Sequence, residues 1–386
     1  MKIALLMSVA SPWSRDVALQ LAQARNEVHV IDPRNSESIS YIGREEQFQR
    51  SAILGLGEFV SAVHPIPYRG TGWYGAVDLA WRLRNVLRRI RADVLSTLYG
   101  GTFAAAAYLS MFRPYAVYVV GSDILMGGKL KKRISRRALS AACAVFSNGR
   151  YLAEKTQEVA PLARVLPLYI GTDTLKFHAG DRPQSPISIV CTRGFMPIYN
   201  NELLVRALSH LPDHLPQHET VFAASGPELE KARSLAGKIL TPSQRSRVKF
   251  LGGASRDTLA KLLGQAHIYV SVALSDGTSL SLMEALASGA FPVLSNIPAN
   301  EEWVDAEAKN GLLVPCDDPL ELAKALTTAI QNEALRVAAS QKNRQLVLGR
   351  ADLKSNMAVM LQELARSAGK GHPLGEVSAQ SHAQAD

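Results

Sequence analysis

Short runs of consecutive apolar residues alternate along this chain with stretches whose apolar positions recur at helical spacing. In the first half, Lys2–Met7, Glu27–Asp32, Val94–Leu98, Tyr115–Val120, Cys143–Ser147 and Arg164–Leu168 read as strands, with a helix over Ser14–Arg25. The second half repeats the theme with Ser188–Thr192, Thr220–Ser225, Val248–Leu251, Ile268–Val272 and Phe291–Ser295. Helical patterns over Asn201–Leu211, Glu228–Lys238, Arg256–Gln265 and Leu280–Ser288 separate them. Strands that are apolar throughout, each followed by a helix, predict parallel sheets covered on both faces. Two such sets predict an α/β protein of two doubly wound, Rossmann-like domains facing a central cleft. The first is expected over 1–178 and the second over 179–340, with the polar, proline-bearing Phe177–Pro186 between them. Helices over 341–366 are expected to pack back towards the first domain, and 367–386 reads as a disordered tail.

A chain of 386 residues suits two domains, and 47% hydrophobic with 20% charged residues excludes a mostly disordered protein. No run approaches the roughly 18 apolar residues of a membrane span. Cys143, Cys191 and Cys316 are scattered, without zinc-ligand or disulfide spacing. The apolar start is short and runs into a helical pattern, so Lys2–Met7 reads as a buried strand, not a leader, and a cytoplasmic location is expected.

Net charge changes the picture once it is located. Residues 1–180 hold 23 Lys and Arg against 13 Asp and Glu, whereas 181–386 hold 20 against 21. The excess sits largely in two blocks at helical spacing, residues 82–91 and residues 129–137. Together they predict an anionic membrane surface as a partner, with Leu83, Val86, Leu87, Ile90, Leu130 and Ile134 meeting the acyl boundary. No nucleic acid is expected.

In doubly wound sheets ligands bind beyond the carboxyl ends of strands. The most specific segment there runs from Ser275 to Gly289. A small-residue loop carrying Asp276 opens a helix near Thr278–Leu280, and its N–H groups suit a diphosphate. Glu284 lies eight residues after Asp276 inside an apolar run, where an unpaired carboxylate is costly.

With Phe291-Pro292-Val293-Leu294-Ser295 behind it, this segment resembles the signature of the retaining family 4 glycosyltransferases of GT-B fold, in which two acids stand eight apart. Asp276 takes the place of the first Glu. The resemblance implies that Glu284 holds the ribose of a nucleoside-diphosphate sugar and that Asp276 contacts the transferred sugar. The backbone of Gly277, Thr278, Ser279 and Leu280 would cradle the diphosphate. Asn296–Trp303 and Asn310–Pro315 also follow the family pattern and read as scaffold.

Three further segments join this resemblance. Arg193 matches an arginine that the family directs at the donor phosphates, a contact suited to a guanidinium. The lysine expected about five residues later is absent, and Asn200 is a candidate replacement. Ser225 and Gly226 lie in a strand-to-helix turn like the family's glycine-rich loop near the donor. Asp123, retained from an acceptor-side element whose histidine is here a valine, joins Arg193, Asp276 and Glu284 as a candidate catalytic residue. Asp173 reads as a structural cap.

No Asp-x-Asp metal motif or Walker loop occurs, so neither metal nor cofactor is expected. The implied activity is retaining, metal-independent transfer of a sugar from a UDP- or GDP-linked donor to a hydroxyl acceptor. The basic first domain points to a glycolipid acceptor in cell-surface polysaccharide biosynthesis, handled by a peripheral protein on the inner membrane face. The alternatives are a GT-B epimerase or phosphorylase, and a non-enzymatic two-domain binder of anionic ligands.

Overall fold

The computed structural model describes residues 1–35, 55–70, 72–125, 129–305, 307 and 309–370. Its strands are β1 (Lys2–Leu6), β2 (Glu27–Asn35), β3 (Ala62–Tyr68), β4 (Val94–Thr97), β5 (Tyr115–Val119), β6 (Ala144–Ser147), β7 (Val165–Pro167), β8 (Ile187–Cys191), β9 (His218–Phe222), β10 (Val248–Phe250), β11 (Ile268–Ser271), β12 (Phe291–Ser295) and β13 (Leu312–Val314). They form a seven-stranded sheet, β3-β2-β1-β4-β5-β6-β7, and a six-stranded sheet, β10-β9-β8-β11-β12-β13. Every pairing is parallel. Both sheets are two doubly wound, Rossmann-like layers, as the apolar runs imply. The order reverses between β1 and β4 in one sheet and between β8 and β11 in the other, and a crevice opens at each reversal.

Sequence pattern misses two strands, and for different reasons. Strand β3 carries Pro65 and Pro67, which argue against a central strand, but it lies at the sheet edge where missing N–H donors are tolerated. Strand β13 is only three residues long.

The helix Gly72–Ile90 corrects one expectation. Leu83, Leu87 and Ile90 point into the core beneath the first sheet, and Val86 packs against the same core, so they are closed to an acyl boundary. The exposed face instead carries Tyr74, Val77 and Trp81, at 80%, 44% and 66% exposure, with Arg88 two turns further on. The helix Lys129–Ser140 packs into the same core through Ala138 and Leu139. Helix Thr102–Leu109 lies between the two, so both basic blocks share one face of the first sheet. Lys132, Arg133, Arg136 and Arg137 are exposed there, and Ile134 is half-buried. The side chains of Lys129, Leu130 and Lys131 lie outside the described residues.

The end of the chain ties the two halves. The helix Glu333–Arg350 packs on the second domain's Leu280–Ala287 helix and runs through position 340, where a boundary was expected. The next helix, Leu353–Ser367, inserts Leu353, Met357, Met360 and Leu364 into the first domain's core. Residues 371–386 of the expected tail lie outside the described residues. Among the described residues no helix is long and apolar enough to cross a membrane.

Candidate active site

The second sheet's order reversal places the ends of β8 and β11 side by side, and the polar cluster grows from both. Arg193 leaves β8 two residues after Cys191 and is 8% exposed. Its guanidinium donates to Asp276 Oδ2 at 2.6 Å and to Ser279 Oγ at 2.5 Å, and lies 3.9 Å from the centre of the Tyr199 ring. Its Nε is buried without a protein partner. The Asn201 amide donates to the carbonyls of Arg193 and Gly194, at 3.1 Å each, fixing the loop that presents the arginine. Burial pushes the Asp276 carboxyl above its usual range, and Arg193 holds it back. Removing either member of such a pair strands the other.

Ser279 ends the loop and begins the helix Leu280–Ala287. Its Oγ accepts from the Leu282 N–H at 3.3 Å, an N-cap that aims the first turn at the cleft. Just before it, the loop touches the first domain. A Cβ on Gly277 would stand 2.6 Å from the Val120 carbonyl oxygen, so only glycine permits this approach. The Asn148 amide donates to the Thr278 carbonyl at 2.8 Å, and the Thr278 N–H donates to the Asn148 carbonyl at 3.3 Å. Thr278 Oγ1 is buried without a partner.

Glu284, inside that helix, is 4% exposed. Its Oε1 lies 3.1 Å from Arg256 Nη2, which also stands 3.3 Å from Asp16 Oδ2 of the first domain. Burial pushes the Glu284 carboxyl up to about 7, with Arg256 opposing and Asp16 reinforcing the shift.

The remaining candidates surround this cluster. The Ser225 carbonyl accepts from the Phe195 N–H at 3.0 Å, and the Glu228 N–H donates to the Phe195 carbonyl at 3.0 Å. Gly226 has φ +157°, and a Cβ there would lie 2.5 Å from the Phe195 oxygen. This turn therefore braces the Arg193 loop. Asn200 adopts a left-handed φ of 52°, and its amide donates to the Cys316 carbonyl at 2.8 Å, apart from Arg193. Asp123 lies outside the cluster. It is 2% exposed and accepts from the N–H groups of Gly100, Gly121 and Val120, at 2.7, 2.8 and 3.2 Å. It shapes the wall at the ends of β4 and β5, where Gly121 faces Gly277.

Sequence reasoning missed Arg256, Asp16, Tyr199 and Asn148. Arg256 and Asp16 stand on ordinary polar helix faces, and only the approach of the two domains joins them. It also missed the role of Glu302, whose carboxylate accepts from the N–H groups of Arg150 and Tyr151 at 2.9 and 2.8 Å. That acid of the second domain caps a helix of the first whose own N-cap position is Gly149. Among the described residues no group of three or more His, Cys, Asp or Glu is placed to hold a metal ion.

Residues 175–346 match the family model of glycosyl transferases group 1. The match takes in Arg193, Asp276 and Glu284. The chain is 26% identical over 262 residues to an exopolysaccharide phosphotransferase of Streptomyces coelicolor, covering 66% of this chain and 26% of that protein. It is 24% identical over 254 residues to the phosphatidyl-myo-inositol mannosyltransferase of Mycolicibacterium smegmatis, covering 65% of this chain and 59% of that one. The chain thus spans about a quarter of the first of these curated relatives and less than two thirds of the second. Among solved structures, HepE of Anabaena in complex with UDP and glucose superposes with a TM-score of 0.74 at 17% identity, over 95% of this chain and 100% of that one. The fold is GT-B. Residues 175–346 thus resemble a glycosyl transferases group 1 domain, carried on a GT-B fold.

Proposed function

We propose that this protein transfers a sugar, with retention of configuration, from a nucleoside-diphosphate sugar to a hydroxyl acceptor. The observation that carries this reading is Arg193, a buried cation poised on Asp276 and Ser279 at the start of a helix whose interior holds Glu284. A diphosphate entering here meets the guanidinium, with its unpartnered Nε–H, and the helix N-terminus, two sources of positive potential that grow in value as the leaving group gains charge. No metal ion is needed in this scheme. Glu284 accepts the two ribose hydroxyls, Asp276 contacts the transferred sugar, and the backbone from Gly277 to Leu280 lines the phosphates. The acceptor hydroxyl attacks the anomeric carbon from the face the diphosphate leaves, and its proton passes to the departing phosphate oxygen. Asp123, Asn200, Ser225 and Gly226 shape the loops around these groups.

The donor is UDP- or GDP-linked, and HepE's complex with UDP favours testing UDP first. The acceptor is a glycolipid met on an anionic membrane, through the face that carries Tyr74, Trp81, Arg88, Arg136 and Arg137. An aromatic stripe beside basic residues suits the headgroup layer of such a surface.

Calorimetry with UDP and GDP, followed by product analysis, tests the reading. One nucleotide should bind, Glu284→Gln should weaken it at least tenfold, and the product should keep the donor's anomeric configuration. Transfer should survive excess EDTA. Inversion at the anomeric carbon, or an epimerised sugar as product, would overturn it.

A further inference from the structure

The charges around Glu284 reach across the cleft. Arg256 opens the helix Arg256–Gln265 directly after its N-cap, Ser255, whose Oγ accepts from the Thr258 N–H at 3.1 Å. One nitrogen of its guanidinium, Nη2, stands 3.1 Å from Glu284 and 3.3 Å from Asp16, on the first domain's helix Pro12–Gln23. The guanidinium also lies 5.2 Å from the centre of the Phe177 ring, in the segment joining the domains. The neighbouring Lys176 pairs with Asp257 at 2.6 Å. Two carboxylates from opposite domains thus share one cation. A guanidinium with five donors in a rigid fork can serve both, and what it gives one it withdraws from the other.

We propose that Arg256 and Asp16 are positioning residues for the donor site, with Arg256 holding Glu284 and Asp16 on one guanidinium so that the grip of Glu284 on a ribose depends on a residue of the other domain. This rests on the reading of Glu284 as the ribose acid. Asp16 itself needs no contact with the donor. The ionised carboxylate is the form that accepts from both hydroxyls, so nucleotide affinity follows its ionisation. The charged groups facing Glu284 are Arg256, Asp16 and, further off, Lys176. Arg256 favours the ionised form and Asp16 opposes it, so removing them has opposite consequences.

The test is UDP affinity by calorimetry from pH 5.5 to 8.5, repeated with GDP if UDP does not bind. Glu284→Gln supplies the baseline for proton uptake by the nucleotide, and melting curves check the fold. Asp16→Asn should move the affinity midpoint down by about one pH unit, and Arg256→Gln should move it up by about as much. Arg256→Lys, which keeps the charge without the fork, should move the midpoint up by less than Arg256→Gln does. General damage would shift Asp16→Asn and Arg256→Gln in the same direction, and that result overturns the proposal. So does an Asp16→Asn profile that superposes on wild type while Glu284→Gln weakens binding tenfold and removes the pH step. If Glu284→Gln binds as wild type does, or if neither nucleotide binds, the ribose reading itself fails and takes this inference with it.

Discussion

Asp123 in the first domain and Glu284 in the second are both buried acids beyond the carboxyl ends of parallel strands, at 2% and 4% exposure. Their surroundings separate them. Asp123 takes three backbone N–H groups of the loops after β4 and β5. Glu284 meets a single side-chain cation, and among the described residues no backbone N–H reaches it. A carboxylate offers about four acceptor positions. Those of Asp123 serve its own fold, whereas those of Glu284 are mostly unfilled at a cost in desolvation. An acid held buried and under-satisfied is arranged for a ligand. A satisfied one holds a loop. The same contrast holds for the domains at large, since the charged cluster lies in the second and the first supplies the wall and a basic face.

The contrast breaks most visibly at Arg193. If the guanidinium serves the leaving diphosphate as proposed, Arg193→Ala should lower kcat about 10²- to 10³-fold. Product formation under saturating donor measures it. A variant that keeps wild-type turnover would move the phosphate site elsewhere.

Asp123→Ala should act on stability instead, losing about 2–4 kcal/mol as three buried N–H groups lose their acceptor. A urea titration reads this directly. An unchanged midpoint with abolished transfer would make Asp123 a site acid and erase the distinction.

Glu284 gives the contrast a pH signature. Its carboxyl sits at about 7, raised from 4.5 by burial. Between these values the native state binds more protons than the unfolded one, so stability falls as pH rises through that window and levels off above about 7. Glu284→Gln should flatten this slope, measured by melting at a series of pH values without nucleotide. Nucleotide affinity should run the other way in wild type, falling about tenfold per pH unit below 7 as the carboxylate protonates.

Both sheets were legible in the sequence because strands buried on two faces must be apolar throughout. The polar cluster was legible in part for a different reason: Asp276, Ser279 and Glu284 share one loop-helix segment after β11, and Arg193 follows the end of β8. Residues joined only by tertiary approach were not. Asp16 and Arg256 are 240 positions apart, and nothing periodic marks either. Asp123 shows the converse. Its place in a motif pointed to the cleft, but hydrogen bonds that no linear pattern reveals turn its carboxylate inward. In the basic helix Gly72–Ile90 the charges were plain, but the apolar residues beside them divide between core and surface by a rotation that charge alone does not fix. Leu83 and Leu87 went inward and Trp81 outward.

That outward face yields the smallest expected effect. Tyr74, Val77 and Trp81 recur at spacings of three and four, so they form one stripe, and Arg88 extends it by two turns. Arg136 and Arg137 stand on the helix beyond Thr102–Leu109, on the same side of the sheet. Each basic residue near an anionic surface contributes about 1 kcal/mol. Arg88→Gln or Arg136→Gln should therefore weaken sedimentation with anionic vesicles about fivefold each and leave neutral vesicles unaffected. Trp81→Ala should weaken both, because its contribution is apolar. Raising salt to 1 M shortens the Debye length to about 3 Å and should remove the arginine effects while sparing that of Trp81. Binding lost by Leu83→Ala with the fold intact, and untouched by Trp81→Ala, would mean that the helix turns its other face to the lipid.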